Sequence, residues 1–396
     1  MTARTTVVGP GAELARTVSR LRHPTANVRH KARRPPAPIQ FYAIFFIVVL
    51  LTLFGLVMVL SASSVKAIHS GRSGWMYFTR QSLWAGLGVV ALFAGFRIRV
   101  AVIRRLVPLA LGVSFALLFV VLVVGSKVND ARAWINFGSF SVQPAELTKL
   151  ALVLYVADLL AQRADRMHDV RATVGPVLVV LGSASLLVLL QPDLGSVIVM
   201  AAIVLSMVFV AGAPLVPLAG AIGLAGAGAA LFALSSANRR ARWLVFLDLA
   251  RNRSGTGYQV WQSLVGIASG GLTGVGLGAS RAKWGYLPEA HTDFIFAIIA
   301  EELGLLGVLA VVLLFVMFGL FGLQVARRAE DRFEMLLAGG VTAWLLLQAI
   351  VNIGGVTASL PLTGLTLPFV SFGGSSLLVS MAAAGLLLNV ARRQSS

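Results

Sequence analysis

The side chains that could do chemistry are few, and one acid stands out among them. Asp293 lies in Leu287-Pro288-Glu289-Ala290-His291-Thr292-Asp293-Phe294. A proline, a charge cluster and then a long apolar run mark a helix start near a membrane surface. Two readings fit Asp293. It caps that helix, as Thr292 also could. Or it is a carboxylate at the rim of a partly dry cavity, its pKa raised to where a general base works. The aromatic neighbours Trp284, Tyr286, Phe294 and Phe296 suit either. Glu301 and Glu302 follow about two turns deeper. Acids inside a span need partners, and an ion pair to another helix is the plainer reading of both. Glu146 and Lys149, at i,i+3, can pair with each other. Arg132 beside Trp134 can stack or hold an anion. Arg239, Arg240, Arg242, Arg281 and Lys283 make one loop cationic. That loop is a solvated or lipid-facing surface, or a clamp for the pyrophosphate of a departing leaving group. The five histidines show no zinc-type spacing.

The elements that must position these residues are membrane helices. The chain has 396 residues, 58% of them hydrophobic and 12% charged. Soluble domains are typically ~45–50% apolar and ~25% charged. The apolar residues come in runs of about 18–23, the length a helix needs to cross ~30 Å of hydrocarbon. About ten spans are predicted, over 41–60, 81–96, 103–124, 146–161, 173–190, 194–211, 216–234, 293–321, 334–353 and 375–391. Residues 1–40 read as a basic, disordered cytoplasmic tail ahead of one membrane domain, 41–393. A signal peptide is a poor reading, because the run 41–60 is too long and starts too late. With the N-terminus inside, 20 of the 33 Lys/Arg fall on inner segments. This favours both termini in the cytoplasm and Asp293 on the outer face. A net charge of +18 points to anionic lipid or an anionic substrate, and no nucleic-acid motif appears.

Three outer segments are more than connectors: 125–145, the long loop 235–292 between spans seven and eight, and 354–374. The last holds Pro361, Pro368, Gly373 and Gly374, so it is expected to dip into the protein or cap a cavity. Within the long loop, Tyr258–Ser269 has helical spacing. Trp261, Leu264, Val265 and Ala268 share one face of a short helix lying in the interface. The glycine-rich turn Gly270–Gly278 lacks the Lys-Ser/Thr ending of a phosphate loop.

At these residues the chain resembles the SEDS proteins (shape, elongation, division and sporulation). The resemblance rests on Tyr286–Ala297 with Glu301-Glu302-Leu303-Gly304, on Arg132-Ala133-Trp134, and on Gln143-Pro144-Ala145-Glu146-Leu147-Thr148-Lys149. It also rests on Gln191-Pro192-Asp193-Leu194-Gly195, Gly257-Tyr258-Gln259 with Gln262-Ser263, and Leu367–Ser376. These occur in family order from about residue 41 to 393. Gly55–Ser63 and the Pro-Glu-Ala-His wording are more similar to the division branch, FtsW, than to the elongation branch, RodA. The stretch Phe246–Gly255 departs from the family's Asn-Pro and following Asp, so no role is carried to Asp248 or Asn252.

The resemblance implies an all-α bundle of about ten spans in the bacterial cell membrane. It implies an inverting glycosyltransferase that polymerises lipid II into β-1,4 glycan and releases undecaprenyl pyrophosphate, in cell division for the FtsW branch. Asp293 would be the essential acid, as base or as organiser of a divalent cation, Mg or Mn. Arg132, Lys149, Arg242, Lys283 and Glu146 would be candidates for binding lipid II and its pyrophosphate. A class B penicillin-binding transpeptidase and divisome proteins would be partners. Two other readings compete: a lipid II flippase, suggested by the buried acids, and a scaffold without activity.

Overall fold

The computed structural model describes residues 38–128, 131–138, 140–167, 169–235, 240, 246, 248–249, 253–255 and 257–394. The predicted basic tail therefore lies almost wholly outside the described residues, as does Arg242. Eleven α-helices and a small sheet make up the described chain. In order they are α1 (Ile39–His69), α2 (Met76–Arg97), α3 (Val100–Val124), β1 (Ser126–Val128), β2 (Ala131–Phe137), β3 (Phe140–Val142), α4 (Pro144–Gln162) and α5 (Val170–Leu189). Then come α6 (Leu194–Val210), α7 (Leu215–Leu234), α8 (Tyr258–Gly270), α9 (Ile295–Arg328), α10 (Arg332–Val356) and α11 (Gly374–Ala391). Each of the ten predicted ranges falls on a helix, and α8 is the eleventh. Among the described residues, six helices are long and apolar enough to cross a membrane: α1, α3, α5, α9, α10 and α11.

Local chemistry sets the helix starts. Pro144 opens α4, where its missing N–H costs nothing, and Glu146 lies in the first turn, favourable to the helix dipole. Asp193 caps α6 by accepting from Ser196 N at 2.9 Å. Asp331 caps α10 by accepting from Phe333 N and Glu334 N. Large apolar side chains such as Leu53, Val90, Phe119 and Leu313 point outward, as lipid-facing residues do. Inside, small residues let backbones meet: a Cβ on Gly95 of α2 would sit 2.9 Å from Ala382 O of α11.

The sheet was not expected in a purely helical chain. It is an antiparallel meander, β1-β2-β3, with Ile135 opposite Val142 and Phe137 opposite Phe140. Ala133 and Ile135 face inward and Arg132 and Asn136 face out, the period-two alternation of a half-covered strand.

Helix α9 is broken. Gly304 has φ 64° and ψ −161°, a conformation essentially confined to glycine. The break frees backbone groups that need partners in a membrane. The turn after α8 supplies them. Val275 N donates to Glu301 O and Gly276 N to Glu302 O, each at 3.0 Å, while Leu305 N and Leu306 N donate to Gly271 O and Leu272 O. Gly274, at φ +79°, lies so close to the Glu302 carbonyl that no Cβ would fit. The glycine-rich turn is therefore a backbone patch for a broken helix. Helix α8 turns Val260, Ser263, Gly266 and Gly270 inward. Val265 and Ala268, of the face read from spacing, point outward. Arg253 lies over the Trp261 ring at 4.1 Å.

The segment after α10 enters the protein. Leu365, Leu367, Phe369 and Val370 are buried. Gly55 of α1 admits them, since a Cβ there would lie 2.7 Å from Phe369 O.

Candidate functional site

Asp293 sits in the turn just ahead of α9. It does not cap that helix: Phe294 holds the cap position and no side chain bonds the first turn. Its Oδ1 accepts from Thr292 Oγ1 at 2.8 Å. The same hydroxyl lies 3.0 Å from Glu289 O and 3.3 Å from Glu289 Oε2. On the other side, a Cβ on Gly364 would be 3.8 Å from Asp293 Oδ2. Gly364 has φ +69°, so the backbone bends there as glycine allows. Burial pushes the Asp293 carboxyl up to about 6, against the pull of the Thr292 hydroxyl, its own backbone N–H and Lys66.

Lys66, near the end of α1, is a cation close to this turn. Its Nζ is 3.1 Å from Glu289 Oε1, with 43% of the lysine side chain exposed. His291 is buried between Tyr77 and Phe372, ring centroids 4.7 and 5.5 Å away. Burial and then Lys66 hold its imidazole down at about 4, so it is neutral at physiological pH. Phe372 N donates to His291 O at 2.9 Å, which ties the Asp293 turn to the segment after α10.

That segment is also fastened from α10. Asn352 Nδ2 donates to Asp293 O at 2.8 Å and to Leu365 O at 2.6 Å. One turn away, Gln348 Nε2 donates to Thr366 O at 3.0 Å, and Gln348 Oε1 accepts from Lys149 Nζ at 2.6 Å and from Trp344 Nε1 at 3.0 Å.

The other candidates fall elsewhere. Lys149 is fully buried and paired with Glu146 at 2.8 Å. Lys283 is buried and paired with Glu302 at 3.2 Å, with a further bond to Gly278 O at 2.6 Å. Where the sequence suggested pyrophosphate ligands, this conformation gives Lys149, Glu146 and Lys283 internal partners, because an unpaired buried charge is costly. Glu301 accepts from Ser280 Oγ, Arg281 N and Ala282 N, and Glu302 also accepts from Ser61 Oγ at 2.7 Å. These acids anchor the 278–283 loop. Glu302 pairs with a loop lysine rather than with another helix. Arg132 is exposed on the outer face of β2.

Sequence reasoning missed Lys66, Gly364, Gln348 and Asn352. The two amides carried a signal, since polar side chains in an apolar run usually bond across helices. Lys66 carried none, because only the folded chain brings α1 to Glu289.

A divalent cation would need ligands from substrate and water here. Among the described residues no group of three or more His, Cys, Asp or Glu could hold an ion by itself. Mg or Mn takes one or two carboxylates when substrate phosphates and water complete its shell, and Asp293 offers a carboxylate in the turn before α9.

A family model described as cell cycle protein, FtsW/RodA/SpoVE, matches residues 42–396. The chain belongs to the FtsW/RodA/SpoVE family. It is 39% identical over 357 residues to a protein of Mycobacterium tuberculosis named probable peptidoglycan glycosyltransferase FtsW, covering 90% of this chain and 68% of that one. It is 40% identical over 350 residues to stage V sporulation protein E of Bacillus subtilis, covering 87% and 95%. Among solved structures, a chain of a peptidoglycan synthase complex that coordinates polymerization and crosslinking superposes with a TM-score of 0.74. It is 32% identical, with 89% of this chain and 97% of that one covered. The rod shape determining protein RodA of Thermus thermophilus gives a TM-score of 0.67 at 31% identity, covering 89% and 98%. This member of the FtsW/RodA/SpoVE family is thus a multi-pass membrane protein whose helical frame is similar to that of RodA.

Proposed function

We propose that this protein is a peptidoglycan glycosyltransferase that polymerises lipid II on the outer face of the cell membrane, in septal wall synthesis. In this reading ten helices span the bilayer, both termini are cytoplasmic, and residues 235–292 form the long outer loop. The observation that carries the reading is the Asp293 carboxylate. It does not cap the helix it precedes, feels the charge of Lys66, and is raised to about 6 by burial.

The chemistry asked of it is an inverting displacement. The 4-hydroxyl of an acceptor GlcNAc attacks C1 of the donor MurNAc. The C1–O bond to pyrophosphate breaks with inversion, so the α-linked donor becomes a β-1,4 glycan. The hydroxyl proton passes to Asp293, and undecaprenyl pyrophosphate departs with the bonding pair. A base raised to about 6 is ionised at neutral pH yet holds a proton better than an ordinary aspartate. The leaving group needs positive charge, for which Lys66, Arg132 and Arg242 are the candidates; of the described two, neither Lys66 nor Arg132 is in a buried pair. In the alternative role Asp293 would hold a divalent cation instead of taking the proton, and that cation would add charge neutralisation at the pyrophosphate.

A class B penicillin-binding transpeptidase and divisome proteins are the proposed partners, supported by the likeness to a chain of a peptidoglycan synthase complex. A translocation reading drew on Glu301, Glu302, Glu146 and Lys149; in this conformation the first two hold the 278–283 loop and the last two pair with each other. Polymerisation of lipid II by wild type and Asp293→Asn in proteoliposomes tests the proposal.

A further inference from the structure

The reading of Asp293 leaves open what holds its turn in place. The carboxylate does not hold it by capping α9. Besides the turn's own bonds to Glu289 O and the bond from Phe372 N to His291 O, a side-chain grip on its main chain comes from a different helix. Asn352 is 3% exposed, near the end of α10, and both protons of its amide are spent on carbonyls: Asp293 O at 2.8 Å and Leu365 O at 2.6 Å. Two carbonyl acceptors can be served only by the nitrogen of the amide, so its orientation is fixed. Its Oδ1 is buried with no partner among the described residues. Leaving an acceptor unmet inside a protein is costly, and the amide bears that cost while bridging two separate segments. Leu365 directly follows Gly364, the residue that faces Asp293 Oδ2. The fork therefore sets both the turn that carries the carboxylate and the wall opposite it. Gln348 lies four residues earlier on α10 and extends the grip, holding Thr366 O and, through its own oxygen, the buried Lys149.

We infer that Asn352 is a positioning residue for Asp293: its forked amide fixes the distance between the carboxylate turn and the Gly364 wall. Gln348 and the Glu146–Lys149 pair stiffen the same strut. The inference rests on the proposed role of Asp293 and adds a requirement to it. Removing the donor loosens both segments together, admits water to the carboxylate, and spoils its alignment with the attacking hydroxyl. A misplacement of about 1 Å costs on the order of 100-fold in rate.

The test uses the full chain in proteoliposomes with lipid II as substrate. Asn352→Leu keeps the volume and Asn352→Ala removes it. Asn389→Leu is the control, because Asn389 makes the same fork to Gly95 O and Ile98 O at the α2–α3 turn. Both Asn352 variants are expected to lose at least tenfold in kcat with KM within about twofold. Their acid limb should move below the wild-type position near 6, since a wetter carboxylate titrates closer to its ordinary value. Asn389→Leu should lower the melting temperature and leave kcat and the limb in place. Wild-type kcat and pH profile in either Asn352 variant overturns the inference. So does failure of both to fold, because the amide would then hold the bundle rather than the site. The separate Asp293→Asn arm keeps the two ideas apart: an active Asp293→Asn defeats the proposed base, whatever Asn352 does.

Discussion

Lys283 Nζ lies 3.2 Å from Glu302 Oε1, with both side chains nearly sealed from solvent. The pair joins the loop before the candidate site to the last turn of α9 before its break, and Ser61 of α1 closes the group. A cation so placed is part of the frame.

Lys283→Met should therefore act on stability first. Removing one partner of a buried pair costs about 3–5 kcal/mol, because the remaining charge is left uncompensated. A lowered melting temperature in detergent, with KM for lipid II unchanged in the folded fraction, is the expected result. A fully stable variant with a raised KM would return Lys283 to the pyrophosphate.

Gly304→Ala should destabilise by at least about 2–3 kcal/mol, since a β-carbon is strained at its φ and ψ. That carbon would also sit 2.6 Å from the Leu272 carbonyl. Hydrogen exchange of Leu305 and Leu306, whose amides bond Gly271 and Leu272, should rise in the variant. Unchanged protection would mean that α9 is not broken at Gly304.

Ala358 holds φ 56° just past the end of α10, with Ser359 N donating to Gly354 O at 2.8 Å. This is a helix-ending position that favours glycine. Ala358→Gly should raise stability by about 1 kcal/mol, read as a higher melting temperature.

These cases show what the sequence made legible. Apolar runs located ten helices, because length and hydropathy are local properties. The Asp293 motif was legible because a proline, charges and an apolar run mark a helix start. The break at Gly304 was not, because a lone glycine in an apolar run looks like a packing residue. Only the Gly270–Gly276 turn, arriving from elsewhere, makes it a break. The internal partners of the ligand candidates Lys149 and Lys283 were hidden for the same reason: Gln348 and Glu302, which engage them in this conformation, are brought near by folding. Asn352 was visible as an amide in a span, yet its two carbonyls could not be read from spacing.

Asp293 also makes stability depend on pH. Its folded carboxyl titrates at about 6, above the usual 3.8. Between these values the folded chain keeps a proton that the unfolded chain has lost, so stability falls as pH rises through about 4 to 6. Above 6 the buried charge costs its full amount. Asp293→Asn should thus melt higher than wild type at pH 8, and the gain should vanish near pH 4. An equal melting temperature at pH 8 would show the carboxylate to be well hydrated.

The most direct measurement of the central claim is the rate of lipid II polymerisation by wild type and Asp293→Asn, in proteoliposomes, from pH 5 to 8.5. The account predicts wild-type activity that rises through an acid limb near 6. It predicts a variant that folds, binds lipid II and is slower by about 100- to 10,000-fold at every pH. Polymerisation by Asp293→Asn within a few-fold of wild type, with the limb intact, would contradict it.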